Sequence, residues 1–291
     1  MTRLCIILIT LLSLVAFAAN SLITRFALEK TSIDEASFIM IRVVSGALFL
    51  WLYLTFKNNN KAYKAGTWLA AFALFIYAVS FTYGYGLIAA GTGALLLFGA
   101  VQITMTIVGY REGERLNIIQ MAGFVLALIG LVILMLPGIS SPSFMGAFLM
   151  CISGVAWSIY TLQGRGASDP AATTAGNFIK AAPMAILLWF IVYLSTNNTI
   201  NLATDGVIYA LLSGIITSGI GYIIWYSVLP ELKATQAAIV QLSVPLLVTL
   251  AGAIILNEAI TMRIILASTA ILLGTILVLT FKKPSKNLTN K

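Results

Sequence analysis

The fold class this sequence predicts is an all-α integral membrane protein of ten spans, arranged as two inverted five-helix repeats. Three observations predict it. Of 291 residues, 60% are hydrophobic and only 9% are charged, with a mean hydropathy of +1.01. Apolar runs of about 20 residues, each long enough for a ~30 Å hydrocarbon core, recur along nearly the whole chain. Residues of the first half also return, in order, in the second.

The composition excludes a soluble domain, which needs roughly a quarter of its residues charged to stay dispersed. The longest polar interruptions, 57–66, 165–174 and 196–205, leave no room for one. The spans fall near 4–24, 37–56, 67–88, 90–110, 117–137, 145–164, 174–195, 206–228, 234–255 and 262–281. Gly/Pro breaks and charged clusters set their limits: 57–60, Gly91, 111–115, Pro137 with Gly138, 164–169, 230–233, and Asn257 with Glu258. The first span, with Arg3 and Ala16-Phe17-Ala18, also has the look of a cleavable secretory signal. Its partner in the second half argues for retention.

The net charge of +8 does not point to nucleic acid, because the basic residues sit mainly in short loops and the C-terminal tail. With a cytoplasmic N-terminus, that side collects Arg3, Lys57, Lys61, Lys64, Arg111, Arg115, Arg165, Lys233, Lys282, Lys283, Lys286 and Lys291. The other side keeps Arg25, Lys30 and Arg263. The positive-inside rule then puts both termini in the cytoplasm, and a bacterial inner membrane is the expected location. There is no histidine, and Cys5 and Cys151 each lie in an apolar run. No disulfide framework, metal site or cofactor is expected.

The repeat is read from paired residues. Glu114 and Glu258 each precede a span at an offset of 144 (258 − 114), which also aligns Leu128 with Leu272 and Gly130 with Gly274. An offset of 138 aligns Leu50-Trp51 with Leu188-Trp189, and Arg42 with Lys180 (180 − 42). An offset of 140 aligns Ala16-Phe17 with Ala156-Trp157, and Arg25 with Arg165 (165 − 25). These define units at 1–138 and 139–291. Because five is odd, the second unit enters the membrane from the opposite side. Inverted repeats of this kind belong to alternating-access transporters, with a substrate site near the midplane.

Several stretches carry a resemblance: Ser218-Gly-Ile-Gly-Tyr-Ile-Ile-Trp-Tyr, Leu229-Pro-Glu-Leu-Lys-Ala-Thr-Gln-Ala-Ala, Leu242-Ser-Val-Pro and Leu256-Asn-Glu-Ala-Ile-Thr. Weaker first-half counterparts are Ala19-Asn20, Arg42 and Gly113-Glu114-Arg115-Leu116. Together they resemble EamA-type proteins of the drug/metabolite transporter superfamily, over almost the whole chain. The resemblance implies ten helices, two repeats, a central cavity and movement of amino acids or related metabolites. The chain departs from the pattern at Phe17, where the family usually has tryptophan. It departs again at Val101, where the repeat-mate Pro245 would lead one to expect proline. The second departure questions a matching break in span four.

Charges inside spans define the first candidates, since an intramembrane ionisable group is costly. Arg42 and Lys180 each lie about six residues, roughly 9 Å, into a span. Either serves to hold a substrate carboxylate or a cavity-lining carbonyl, or else snorkels to the interface. The carboxylates of Glu29, Asp34, Glu35, Glu112, Glu114, Asp169, Asp205, Glu231 and Glu258 all fall in loops or at span ends. That placement disfavours a pump for hydrophobic cations. Glu114 and Glu258 are expected to act structurally, at the starts of spans five and ten, where a negative charge suits the helix dipole.

Aromatic and amide residues outline a site. Tyr77, Phe81 and Tyr85 share one face of span three, Trp157 and Tyr160 lie in span six, and Tyr222, Trp225 and Tyr226 in span eight. Asn20, Gln102, Gln236 and Gln241 add hydrogen-bonding groups without charge. Aromatic walls with a few polar groups describe a small-molecule site, although Trp and Tyr also form interfacial belts, to which Trp51, Tyr53, Trp68, Trp189 and Tyr193 are assigned. Gly219, Gly221 and Pro245 are hinge candidates, or simply points of tight packing.

The expectation is a secondary, non-ATP transporter, exporting small neutral or zwitterionic metabolites such as amino acids. Multidrug or nucleobase transport is the alternative, and a membrane sensor or assembly subunit the non-transport one. No P-loop is present, and without histidine or a buried carboxylate pair an enzyme is not expected. The expected partners are the substrate and the bilayer, with a monomer or homodimer.

Overall fold

The computed structural model describes residues 2–57, 65–113, 117–135, 142–196 and 199–280. Every element among them is helical. In the first half these are α1 (Arg3–Lys30), α2 (Glu35–Phe56), α3 (Trp68–Leu87), α4 (Ala90–Arg111) and α5 (Ile118–Met135). In the second half, α6 (Phe144–Gly164) and α7 (Pro170–Ser195) precede α8 (Thr204–Leu212). A π-helical segment, Ser213–Ile220, joins α8 to α9 (Gly221–Val228). Then come α10 (Ala234–Val240), α11 (Ser243–Ile255) and α12 (Met262–Thr280).

Eight helical stretches among the described residues are long and apolar enough to cross a membrane, Thr204–Glu231 and Ala234–Ile255 counting as one each. The remaining two expected spans correspond to α5 and α12, whose apolar stretches are shorter. Several helices begin where polar side chains satisfy the first free N–H groups. Asp34 accepts from Ser37 N at 2.8 Å, Thr67 caps α3 through Ala70 N at 3.0 Å, and Asp169 caps α7 through Ala172 N at 3.0 Å. Pro170, at the first position of α7, gives up an N–H that would have been unpaired anyway. Capping extends α1 and α7 beyond the expected spans, so Arg25 and Lys30 are helical.

The packing is symmetric. α2 lies on α7, α5 on α12, and α4 on α10 and α11. α3 packs on α6 just as α1 packs on the α8–α9 stretch, while α4 packs on α6 as α11 packs on α1. Exchanging the halves leaves this set of pairings unchanged, as a pseudo-twofold relation requires. Close approach depends on small residues, since lipid gives apolar helices no hydrophobic reason to associate. A Cβ on Gly274 would strike the Gly123 carbonyl of α5, and one on Gly154 the Leu97 carbonyl of α4. Large apolar side chains such as Leu8, Leu11, Trp68, Ile186, Leu187 and Ile254 point outward.

Two backbone irregularities lie in the second half. The chain breaks at Gln241 and Leu242, so that Pro245 sits in the first turn of α11, where its missing N–H costs nothing. Its repeat-mate Val101 lies inside an unbroken α4. The doubt about a matching break in span four is thus resolved as a difference between the halves. The π segment is the second irregularity. It lets Gly214 approach α2 so closely that a Cβ would press on the Arg42 carbonyl and the Ser45 hydroxyl.

Candidate functional site

Where the two halves meet, α1, α2, α3, α6, the π segment and α9 converge on one buried cluster. Phe17, Tyr77, Phe81, Trp157, Tyr160, Tyr222, Trp225 and Tyr226 are all buried there. Trp157 is central, with ring centroids 4.9 Å from Tyr77, 4.8 Å from Tyr222 and 5.1 Å from Phe17. The Phe17–Trp157 contact is edge-on, an arrangement favoured by ring quadrupoles. Phe17, at its unusual position, therefore still supplies an aromatic wall.

Polar groups thread through these rings. Asn20 Oδ1 accepts from Ser213 Oγ (2.7 Å) and Thr217 Oγ1 (2.9 Å), and its Nδ2 donates to Tyr77 Oη at 3.3 Å. Tyr222 Oη donates to Tyr77 Oη at 3.3 Å. Arg42, only 1% exposed, donates through Nε to Ser218 Oγ (3.1 Å). Its Nη2 donates to Tyr222 Oη (2.9 Å) and, more loosely, to Tyr77 Oη (3.5 Å). The guanidinium also lies 5.3 Å from the Tyr77 ring centre and 5.1 Å from that of Phe81, a cation–π geometry. Arg42 does not snorkel: it is held inward.

Its repeat-mate is placed differently. Lys180 donates to the Ala65 carbonyl, while Asn177 on the same helix accepts from Thr67 N at 3.0 Å. Together they strap the approach to α3 onto α7. Lys180 thus holds a loop-end carbonyl rather than a cavity-lining one, away from the Arg42 cluster. Trp225 donates to Thr161 Oγ1 (3.4 Å) and Tyr226 to the Tyr160 carbonyl (2.7 Å). These bonds tie α9 to α6.

The amides divide. Gln241 accepts from Trp157 Nε1 at 2.6 Å and donates to the Ala237 carbonyl, so the α10–α11 break is fastened to the central ring. Gln102 is buried and donates to Thr106 Oγ1 at 3.3 Å within α4. Gln236 does not join the cluster: its side chain accepts from Lys233 N at 3.0 Å and caps α10. Capping satisfies an N–H that would otherwise be free at that helix start. Trp189 donates to Ser37 Oγ at 3.1 Å and joins α7 to α2.

At one end of the bundle Arg25 pairs with Glu29 (3.1 Å) and Glu258 (3.4 Å) and donates to the Tyr85 carbonyl (2.9 Å). Tyr85 thus serves this end through its backbone. Glu258 accepts from Ala90 N (2.8 Å) and Gly91 N (3.4 Å). It does act at a helix end, but that of α4, because the turn at Asn257 (φ 55°) brings it there rather than onto α12. Glu114 lies outside the described residues. At the opposite end Arg165 meets Glu112 at 2.8 Å. Gly219 and Gly221 flank the junction of the π segment and α9. Ser213, Thr217, Ser218, Thr161 and Asn177 are the polar contributors that sequence reasoning missed.

An all-helical membrane bundle of two symmetric halves enclosing an aromatic and polar junction defines the transporter class. The EamA-like transporter family matches residues 4–136 and 144–280, and the chain belongs to that family. An uncharacterized protein of Pseudomonas aeruginosa is 49% identical over 273 residues, covering 94% of each chain. An uncharacterized transporter of Archaeoglobus fulgidus is 24% identical over 85% of this chain and 88% of its own length. Another uncharacterized transporter, from Bacillus subtilis, is 23% identical over 80% and 83%. A crystal structure at 16% identity shares the fold, with a TM-score of 0.68 over 94% of this chain and 96% of the other.

Proposed function

We propose that this family member is a secondary exporter of small neutral or zwitterionic metabolites, amino acids among them, working by alternating access. The observation that carries this reading is the junction itself, because both halves contribute to one buried set of rings and hydrogen bonds. Arg42, Asn20 and Tyr77 come from the first half, and Trp157, Ser218 and Tyr222 from the second. A rocking motion between halves would open that set to one side at a time. The π segment and the α10–α11 break are the points where such a motion meets least regular backbone.

The two ends support a direction. The Arg25 end is fastened by several bonds reaching α1, α3, α4 and the α11–α12 turn. Among the described residues the Arg165 end has one ion pair, its Glu112 side chain half exposed, beside the hydrogen-bonded strap of Lys180 and Asn177. The end whose ion pair is more exposed is taken to open first, and the distribution of basic residues puts it in the cytoplasm. Loading from the cytoplasm is the export direction, in a bacterial inner membrane, for a monomer or homodimer. The tilted rings around Trp157 also offer aromatic faces to a flat, nucleobase-like substrate, the second reading.

Counterflow of labelled leucine, phenylalanine and uracil into proteoliposomes tests the proposal. Amino-acid flux above that of protein-free vesicles is expected. Uracil flux alone would select the second reading, and flux of none of the three would overturn both.

A further inference from the structure

Arg42 is a cation buried inside the bundle with no anion beside it. Its partners, Ser218, Tyr222 and Tyr77, are all neutral. Among the described residues no carboxylate pairs with it, the ion pairs being those of Arg25, Lys30 and Arg165. Its Nη1 is buried and has no hydrogen-bond partner. A buried charge in a membrane protein is costly unless paired, and an unused buried N–H adds to that cost. The arrangement makes sense if the missing anion arrives with the ligand.

We infer that Arg42 is the docking point for a substrate carboxylate, a reading that rests on the transport function above and names its substrate class. A carboxylate presents two oxygens spaced to receive two parallel guanidinium N–H groups. Nη1 is free, and the 3.5 Å contact of Nη2 with Tyr77 is the loosest that Arg42 makes. A ligand carboxylate takes both and completes the pairing. The neighbouring rings of Phe17, Phe81 and Trp157 offer apolar surface to the rest of the ligand. No carboxylate among the described residues stands by to receive an ammonium group there. The class is therefore a carboxylate with an apolar or aromatic body, and an amino group on it is dispensable.

Thermal unfolding and equilibrium binding of purified protein with leucine, leucinamide and isocaproate, at neutral pH, test this. The three share one branched body and differ only in carboxylate and amino group. Leucine and isocaproate are expected to raise the melting temperature by mass action and to bind roughly ten-fold or more tighter than leucinamide. Arg42→Gln is expected to lose both responses while its ligand-free melting temperature stays at or above that of the unchanged protein. Arg42→Lys, retaining charge without the planar fork, should respond weakly.

Leucinamide binding as well as leucine would overturn the inference, as would no response to either carboxylate. So would Arg42→Gln melting lower yet responding in full, which is the outcome of a purely structural arginine. Flux separates the two claims. Metabolite flux without carboxylate preference sinks the docking point alone, and carboxylate binding without flux sinks the transport reading.

Discussion

The two halves share one set of helix pairings but differ in their backbones. α3 and α4 are regular, whereas their counterparts are interrupted by the π segment and by the break at Gln241 and Leu242. The interrupted half aims Ser213, Thr217 and Ser218 at Asn20 and Arg42 of the regular half. One half keeps its shape and presents the charge, while the other bends to meet it. π turns inside α-helices are frequent at functional sites.

The largest expected effect comes from erasing the difference. Val101→Pro would place in α4 the residue that Pro245 supplies to α11. In the interior of an unbroken helix it removes a hydrogen bond and should cost about 3 kcal/mol. Pro245→Ala should cost less than about 1 kcal/mol, because the first turn has no bond there to restore. Unfolding of the purified variants by chemical denaturant measures both. Equal losses would mean that the α10–α11 break is not special.

Gly214→Ala comes next, at about 1–3 kcal/mol for overpacking against α2. The added methyl would shift the backbone of Arg42, so the same unfolding assay should be paired with the leucine response. A variant as stable and responsive as the original would show that the close approach is dispensable. The smallest effects test the repeat-mates Arg25 and Arg165. Arg25→Gln loses two carboxylates and a carbonyl, for about 1–2 kcal/mol, while Arg165→Gln should change stability by under about 0.5 kcal/mol, as for exposed pairs. Reversal of that order would assign the tighter end wrongly.

Much of this was written in plain sequence. Apolar runs gave the helices, paired offsets gave the halves, and Arg42 stood out as a charge within a span. Tyr77, Trp157 and Tyr222 were legible because rings at helical spacing mark a common face. The hydroxyls of Ser213, Thr217 and Ser218 were not, since small polar residues in an apolar run read as packing. Their role depends on the π turn, which widens the spacing that a 3.6-residue period assumes. Lys180 was visible as a charge, but its choice of the Ala65 carbonyl depends on a loop end whose path no periodicity describes. Gln236 shows the opposite error, an amide credited to the site that serves a local cap.

The eight-residue π segment also gives the second half a place to absorb a change in chain length. Each residue of an α-helix turns the chain by about 100°. Deleting one residue between Ser213 and Ile220 would let the segment relax into ordinary helix at little backbone cost. Because a π turn holds more residues than an α turn, the face that follows would stay near its present phase, with Tyr222 still toward Arg42. A single-codon loss is absorbed in this stretch, whereas the same loss in α8 or α9 would turn everything beyond it by about 100°.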